Sequence, residues 1–189
     1  MINMKTKYIT FVLLLAIMPL FAQMLPSSQN PKYTSRINPK FNSNINPKYN
    51  SKINPKYTSS LNPKYNSSLN PNYSSNINPN YTSHLNPKYN SKINPKYRAN
   101  LDPRYATWEG KYLFNEMAEP FGILIYANSN IYLFYDMDGE WIGYFVRAKT
   151  NYNLFTLDGD WTGKYLCSDS ESGYNLFEEG GEWTESYVK

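Results

Sequence analysis

Two clusters of carboxylates are the residues whose types and spacing could do chemistry. Asp136, Asp138 and Glu140 lie close together, and Asp158 and Asp160 recur one predicted hairpin later. Such clusters could bind Ca²⁺ or supply the acid and the base of a glycan hydrolase. The first cluster starts like an EF-hand loop but lacks the central Gly and the final Glu of that loop. Because Asp-Gly is also a preferred hairpin-turn dipeptide, we expect these acids to be solvent-facing turn residues.

The other candidates for chemistry are a single Cys and a single His. With only Cys167 present, no disulfide can form within one chain, and a zinc cluster would need several Cys or His residues. We expect Cys167 to be a buried thiol, although a free thiol or one paired between molecules also fits. His84 occupies a variable position of a repeat, so we expect an ordinary solvated residue. The sequence therefore predicts no enzymatic activity, no cofactor and no metal site.

Lys and Tyr residues recur through the first half of the chain in a pattern that suits an anionic polymer. Lys would supply electrostatic contact and Tyr would supply stacking. A solvated spacer is one alternative, and another is a basic segment that lies against the acidic half or bridges molecules through it. The residues predicted to contact a polyanion are Lys40, Lys48, Lys56, Lys64, Lys88, Lys96, Tyr49, Tyr57, Tyr65, Tyr89 and Tyr97.

These Lys and Tyr residues belong to an eight-residue repeat, Asn-Pro-Lys-Tyr-Asn/Thr-Ser-x-Ile/Leu. Ten copies follow one another without insertion, from Asn30 to the copy that begins with Asp102. Pro at every eighth position excludes a continuous helix and moves the preceding Asn away from the helical region. Asn before Pro favours a turn. We therefore expect a string of turns and short extended pieces.

Two structures are compatible with this repeat. One is a narrow ribbon or solenoid in which successive copies stack their Tyr and Ile/Leu side chains, and the other is a solvated, polyproline-like stalk. One aliphatic side chain and one Tyr per copy bury little area, whereas ordering costs about 1–2 kcal/mol per residue. We therefore expect an extended or disordered stalk.

The charges separate between the two halves of the chain. Residues 23–107 contain twelve Lys or Arg and one acid, whereas residues 108–189 contain five bases and fourteen acids. The two segments therefore carry +11 and −9, which the overall charge of +4 conceals.

The N-terminus has the pattern of a secretory signal peptide. Lys5 and Lys7 precede an apolar run that ends at Phe21 and is followed by the small residue Ala22. The run is shorter than the roughly 20 residues of a membrane span, although an uncleaved anchor is the alternative. We expect cleavage after Ala22 and no integral membrane span afterwards, so the mature protein would be secreted or extracytoplasmic.

The acidic half contains a second repeat of about twenty residues. Each unit has an apolar run, an Asp-Gly or Gly-Gly turn and a second alternating run, which is the pattern of a β-hairpin. In one unit the alternation places Trp141, Gly143 and Phe145 on one face. A first unit that starts at Trp108 departs from the pattern through an insertion at 115–121. The sequence therefore predicts four hairpins around one modest core.

The recurrent Tyr-x-Leu-Phe and Asp-Gly-x-Trp-x-Gly-Tyr motifs resemble small bacterial domains of four repeated β-hairpins, called the four-fold beta-flower. The resemblance covers about 108–189. It implies a repeated hairpin fold and transfers no catalytic residue to this chain.

The predicted architecture is mainly β, with a small repeated β-hairpin domain preceded by an extended or disordered octapeptide repeat. Its parts are a signal peptide at 1–22, a basic stalk at 23–107 and an acidic domain at 108–189. We expect a secreted or surface-exposed bacterial protein of structural or adhesive function. The alternatives are a polyanion-binding module for extracellular nucleic acid or acidic polysaccharide, and a glycan hydrolase that uses the Asp-rich turns. The expected partner is an anionic polymer or a cell-surface component, with self-association between basic and acidic parts as a further possibility.

Overall fold

A computed structural model describes residues 25–95 and 110–189, and these residues form a mainly β protein. The predicted class and the repeated hairpins are confirmed. The predicted signal peptide at 1–22, the boundary between 107 and 108, and the site residues Lys96 and Tyr97 lie outside the described residues. Within the described ranges, no helix has the length and apolar character that a membrane span requires.

Eight antiparallel strands form a closed barrel. Each strand pairs with the strands before and after it in the sequence, and β1 closes the barrel by pairing with β8. Closure leaves no strand edge unpaired around the sheet. The strands are β1 (Lys111–Phe114), β2 (Pro120–Asn128), β3 (Ile131–Tyr135), β4 (Trp141–Ala148), β5 (Asn151–Phe155), β6 (Trp161–Ser168), β7 (Tyr174–Phe177) and β8 (Trp183–Val188).

The four hairpin turns lie at one end of the barrel and share one design. In the first turn the amide of Asn115 donates to the carbonyl of Glu119, and the equivalent bond recurs in the other three turns. Gly139 has a φ of 82° and occupies the position that Ala118, with a φ of 60°, occupies in the first turn. The predicted insertion in the first unit is therefore wrong. The four turns are 115–119, 136–140, 156–160 and 178–182.

One face of the sheet lies inside the barrel. The rings of Tyr132 on β3 and Tyr152 on β5 are 5.2 Å apart, and those of Tyr152 and Tyr174 on β7 are 5.5 Å apart. Side chains on strands that are not neighbours can meet only inside the barrel, which identifies this face as the interior. The buried interior residues are Leu113, Leu124, Phe145, Tyr152, Leu154, Leu166, Leu176 and Val188.

The outer face of the barrel is equally apolar. Its buried residues form clusters separate from the interior one. An outer face of this kind is stable in water only when another element covers it. Its larger buried side chains are Tyr112, Phe114, Ile123, Ile131, Leu133, Tyr135, Tyr144, Phe155, Tyr165, Phe177 and Tyr187.

A bulge sets the orientation of the first repeated Trp. The pairing register shifts between Phe134 and Tyr135, so that Phe134 pairs with Gly143 whereas Tyr135 pairs with Trp141. Trp141 therefore packs with the outer cluster, while Phe145 belongs to the interior. The expectation that these side chains share one face is wrong, because the bulge adds a residue that the strict alternation does not count.

The octapeptide repeat covers the outer face of the barrel. Residues 25–95, which we call the belt, contain nine 3-10 helices of three residues each. The sequence predicted an extended or disordered stalk because the repeat alone can bury little apolar area. In the structure the barrel supplies a second apolar surface, and the inner side of the belt is buried against it. The 3-10 helices are Ser27–Gln29, Ser35–Ile37, Ser43–Ile45, Ser51–Ile53, Ser59–Leu61, Ser67–Leu69, Pro71–Tyr73, Ser83–Leu85 and Ser91–Ile93.

The Asn of each Asn-Pro pair explains the eight-residue period. Asn38 Oδ1 accepts a hydrogen bond from the amide of Lys40, which forms the turn predicted for Asn before Pro. Asn38 Nδ2 donates to the carbonyl of Pro31 in the preceding copy. These two bonds join one turn to the previous turn at a fixed distance along the chain. The bond to the preceding Pro recurs at Asn46, Asn54, Asn62, Asn86 and Asn94.

The belt runs around the circumference of the barrel. Lys40 pairs with the β7–β8 turn, Lys64 with the β5–β6 turn and Lys88 with the β3–β4 turn. The belt therefore passes the hairpins in the reverse order of the sequence, and more than one copy contacts a hairpin, since Lys56 also pairs with the β7–β8 turn.

Candidate binding surfaces

Each copy of the repeat has an inner and an outer side. In one copy Ile53, Asn54 and Pro55 are buried, whereas Lys56 and Tyr57 are exposed. The inner Ile and Leu residues pack on the outer apolar face of the barrel. The outer Lys and Tyr residues are the ones available to a partner.

Polar side chains of the barrel hold the backbone of the belt. Asn153 is buried on β5, and its Nδ2 donates to the carbonyl of Ile53 over 2.9 Å. Asn is uncommon within strands, and its presence here is explained by the belt carbonyls that need donors. Equivalent bonds run from Asn151 to Ile45, from Asn175 to Gln29 and from Tyr135 Oη to Leu85.

Four of the predicted polyanion-contact lysines form ion pairs with the barrel. Lys64 Nζ lies 2.5 Å from Asp160, and this hydrogen bond raises the pKa of Lys64. Lys88 Nζ lies 2.6 Å from Glu140, with the same effect on the pKa of Lys88. Exposed pairs of this kind contribute little to stability, because solvent screens them. The other two pairs join Lys56 to Glu179 at 2.8 Å and Lys40 to Glu182 at 3.9 Å.

Lys48 is placed differently from the four paired lysines. Its Nζ lies 5.7 Å from the ring centre of Tyr49, within cation–π range. Among the described residues it has no ion pair with an acid. Both residues are exposed, so this copy presents a cation and an aromatic ring together.

The aromatic position of the repeat forms an exposed series of rings. These side chains are 66–78% exposed, although the Ile, Asn and Pro residues of the same copies are mostly buried. The predicted residues Tyr49, Tyr57, Tyr65 and Tyr89 belong to it. The predicted list omitted four members that share the same register position. The aromatic row, as we call it, consists of Tyr33, Phe41, Tyr49, Tyr57, Tyr65, Tyr73, Tyr81 and Tyr89.

The acidic turns use their carboxylates within the chain. Asp136 Oδ1 accepts hydrogen bonds from the amides of Asp138 and Glu140 and thereby closes the β3–β4 turn. Glu140 and Asp160 also pair with belt lysines. Among residues 25–95 and 110–189, no group of three or more His, Cys, Asp or Glu residues is arranged to hold a metal ion. All five acids of the two clusters lie in hairpin turns, as the Asp-Gly dipeptides predicted.

Cys167 is a buried thiol between the barrel and the belt. Its Sγ lies 3.6 Å from the carbonyl of Ile45. Burial raises the pKa of this thiol, so the reactive thiolate is disfavoured. His84 is exposed, and it borders a small cavity of about 300 Å³ beside Ile125 and Tyr126.

The interior of the barrel opens into a cavity at the end that carries the hairpin turns. Its volume is about 650 Å³. The cavity could not be predicted from the residue types, because it exists only when eight strands close into a ring. The lining residues include Leu113, Phe121, Phe134, Leu154, Lys164, Leu176, Glu178, Trp183, Thr184 and Ser186.

Tyrosine side chains fill the opposite end of the interior. Tyr132 packs against Tyr152 and Tyr126, and Tyr152 packs against Tyr174. Burial raises the pKa of Tyr152 to about 12. Burial likewise raises the pKa of Tyr187, on the outer face, to about 12. The fold therefore favours the protonated phenols.

These two tyrosines predict a loss of stability at alkaline pH. An unfolded Tyr titrates near pH 10, so between about pH 10 and 12 the unfolded chain releases protons that the folded chain retains. The free energy of unfolding should therefore fall as the pH rises through this range. Urea unfolding at several pH values measures the slope. Tyr152→Phe should flatten it, and an unchanged slope in that variant would contradict the assignment to Tyr152.

The chain was compared with protein-family models, curated proteins and solved structures. No match was found in any of the three. The resemblance to the four-fold beta-flower therefore stays a prediction from the hairpin motifs.

Proposed function

We propose that this chain is a secreted, non-enzymatic protein of structural or adhesive function, whose contact surface is the aromatic row. The observation that carries the proposal is the exposure of every described ring of the row, at 66–78%. Large aromatic side chains are costly to leave in water, and exposed apolar patches often mark interaction sites. Tyr is also favoured in interfaces because it offers a large, rigid and amphipathic surface.

The belt supports this role because it holds the rings on a rigid scaffold. The inner side of each copy is packed on the barrel, and the backbone is bonded to the preceding copy. Weak contacts at several copies would therefore add through high effective concentration, without the entropy cost of ordering a flexible stalk. The expected partner is an extended cell-surface polymer that can contact several copies at once.

The proposal is tested by co-sedimentation of the purified protein with insoluble peptidoglycan and with chitin. Tyr57→Ser, Tyr65→Ser and Tyr73→Ser together should lower the bound fraction by at least about tenfold, since three aromatic contacts of about 0.5–1.5 kcal/mol each are removed. A variant with Arg36→Gln and Lys52→Gln is the matched control, because it changes exposed belt residues outside the row. Equal retention of the Ser variant and the unmodified protein would refute the proposal.

A polyanion-binding module is the second candidate, and the contact of Lys48 with the Tyr49 ring favours it. Such binding would weaken steeply as the salt concentration rises. The pairing of Lys40, Lys56, Lys64 and Lys88 with barrel acids reduces the positive charge available. Salt-titrated binding to heparin and to single-stranded DNA separates the two candidates, because stacking on a neutral glycan has little salt dependence. Absence of binding to either polyanion at low salt would eliminate this candidate.

A further inference from the structure

The mouth of the barrel has the shape of a small-molecule site. Its cavity of about 650 Å³ lies within the range of roughly 300–1,000 Å³ that is usual for ligand pockets. Residues of seven strands or their flanking turns line it, and the tyrosine cluster packs at the far end of the interior. Most of the lining is apolar, with Phe134, Leu154 and Leu176 in its walls and Phe121 and Trp183 among its aromatic members.

Among the described residues of the lining, the charged groups are Lys164 and Glu178, which form one ion pair. Lys164 Nζ contacts the Glu178 carboxylate, and both side chains are partly exposed. The hydroxyls of Thr184 and Ser186 already donate to the carbonyls of Leu176 and Thr184. Lys164 and Glu178 are therefore the groups that can exchange their partner for a charged ligand.

The surroundings of the mouth are acidic. The four turns carry ten carboxylates, of which five have ion pairs among the described residues. Glu116 lies beside Glu185, and this contact raises the pKa of Glu116, as expected where negative charges crowd. A mouth surrounded by an excess of one sign of charge attracts ligands of the opposite sign. The ten are Glu116, Glu119, Asp136, Asp138, Glu140, Asp158, Asp160, Glu178, Glu179 and Glu182.

We propose that the barrel mouth binds a small amphipathic cation, with its apolar body between Leu154 and Leu176 and its amine at Glu178. The apolar walls exclude a fully polar ligand, and the excess of carboxylates disfavours an anion. The cation replaces Lys164 as the partner of Glu178, and the aromatic side chains of Trp183 and Phe121 belong to the same lining. This site is separate from the aromatic row, and binding there does not depend on the adhesive function.

The test uses calorimetric titration of the full chain with two probes of equal size and opposite charge. Phenylbutylammonium should bind at least about tenfold more tightly than phenylbutanoate. Glu178→Gln should weaken phenylbutylammonium binding by at least about fivefold, and Lys164→Gln should strengthen it by a similar factor. Asp138→Asn is the control, because this exposed acid is outside the cavity lining and should change the affinity less than twofold.

Several results would overturn the proposal. They are equal affinity for both probes, absence of binding by phenylbutylammonium, and equal weakening by Glu178→Gln and Asp138→Asn. Leu176→Phe fills part of the cavity and should abolish binding while thermal melting confirms the fold. If that variant does not fold, the methyl resonances of Leu154 and Leu176 in the unmodified protein give the answer. They must shift on addition of phenylbutylammonium, and unchanged methyl resonances would place the ligand elsewhere.

Discussion

Replacing Ile53, Leu69 and Ile93 with Ala should destroy the native state or lower its melting temperature drastically. The three side chains are 2%, 8% and 2% exposed. Leu69 and Ile93 belong to the cluster that the belt shares with the barrel, and the carbonyl of Ile53 accepts a hydrogen bond from Asn153. Each substitution of a buried Ile or Leu by Ala costs about 2–5 kcal/mol, so the sum reaches the whole stability of a typical domain. Thermal and urea unfolding of the variant against the unmodified protein measure the loss.

The matched control changes three exposed residues of the same belt. Tyr57→Ala, Tyr65→Ala and Tyr73→Ala together should change the free energy of unfolding by less than about 1.5 kcal/mol, because surface substitutions usually stay within ±0.5 kcal/mol each. If both triple variants melt at the same temperature as the unmodified protein, the belt does not stabilise the barrel. Such a result would support the solvated stalk that the sequence predicted.

Gly143→Ala should lower the free energy of unfolding by about 3 kcal/mol or more. A Cβ at this position would lie 2.7 Å from the carbonyl oxygen of Phe155 on the neighbouring strand. That oxygen is part of the backbone of β5, so it can move away only by disturbing the strand pairing. The indole of Trp141 donates to the carbonyl of Gly143 over 2.8 Å, and this contact would be disturbed as well. Urea unfolding measures the change.

Gly180→Ala provides the comparison for this prediction. Its Cβ would meet the carboxylate of Glu182, which is the far end of an exposed and flexible side chain. Rotation of that side chain removes the conflict, so we expect a loss below about 1 kcal/mol. Equal losses in the two variants would show that close backbone contact is not the reason for Gly143.

The local structure of this chain could be predicted from its sequence more fully than its assembly. Asn-Pro at every eighth position predicted turns, and within the described part of the repeat each Asn-Pro pair from Asn30 to Asn86 forms the expected turn bond. The alternating runs and the Asp-Gly turns predicted the hairpins, with Gly139 and Gly159 at a φ of 82°. Turns and hairpins are formed by residues that are close together in the sequence, so the residue types at those positions are enough to predict them.

The cover over the barrel could not be predicted in the same way, because it depends on the match of two distant segments. One Ile or Leu per copy is compatible with a solvated stalk and also with packing on an apolar surface. The sequence of the repeat therefore does not distinguish the two structures. One residue did point to the answer, namely Asn153, which stands between apolar residues of a strand buried on both faces. A buried Asn needs a hydrogen-bond partner, and the carbonyl of Ile53 in the belt supplies it.

Because the copies are nearly identical, the belt has several nearly equivalent registers on the barrel, each displaced by eight residues from the next. A displacement by eight residues keeps the bonds from one copy to the preceding one and exchanges one Ile or Leu for another at every position from Ile45 to Ile93. The register is therefore selected only by residues that differ between copies, such as Asn72, whose Nδ2 donates to the carbonyl of Leu157 in the β5–β6 turn. The remaining copies are interchangeable units, so a gain or loss of whole octapeptides alters how much of the circumference is covered and leaves the local structure of each copy intact.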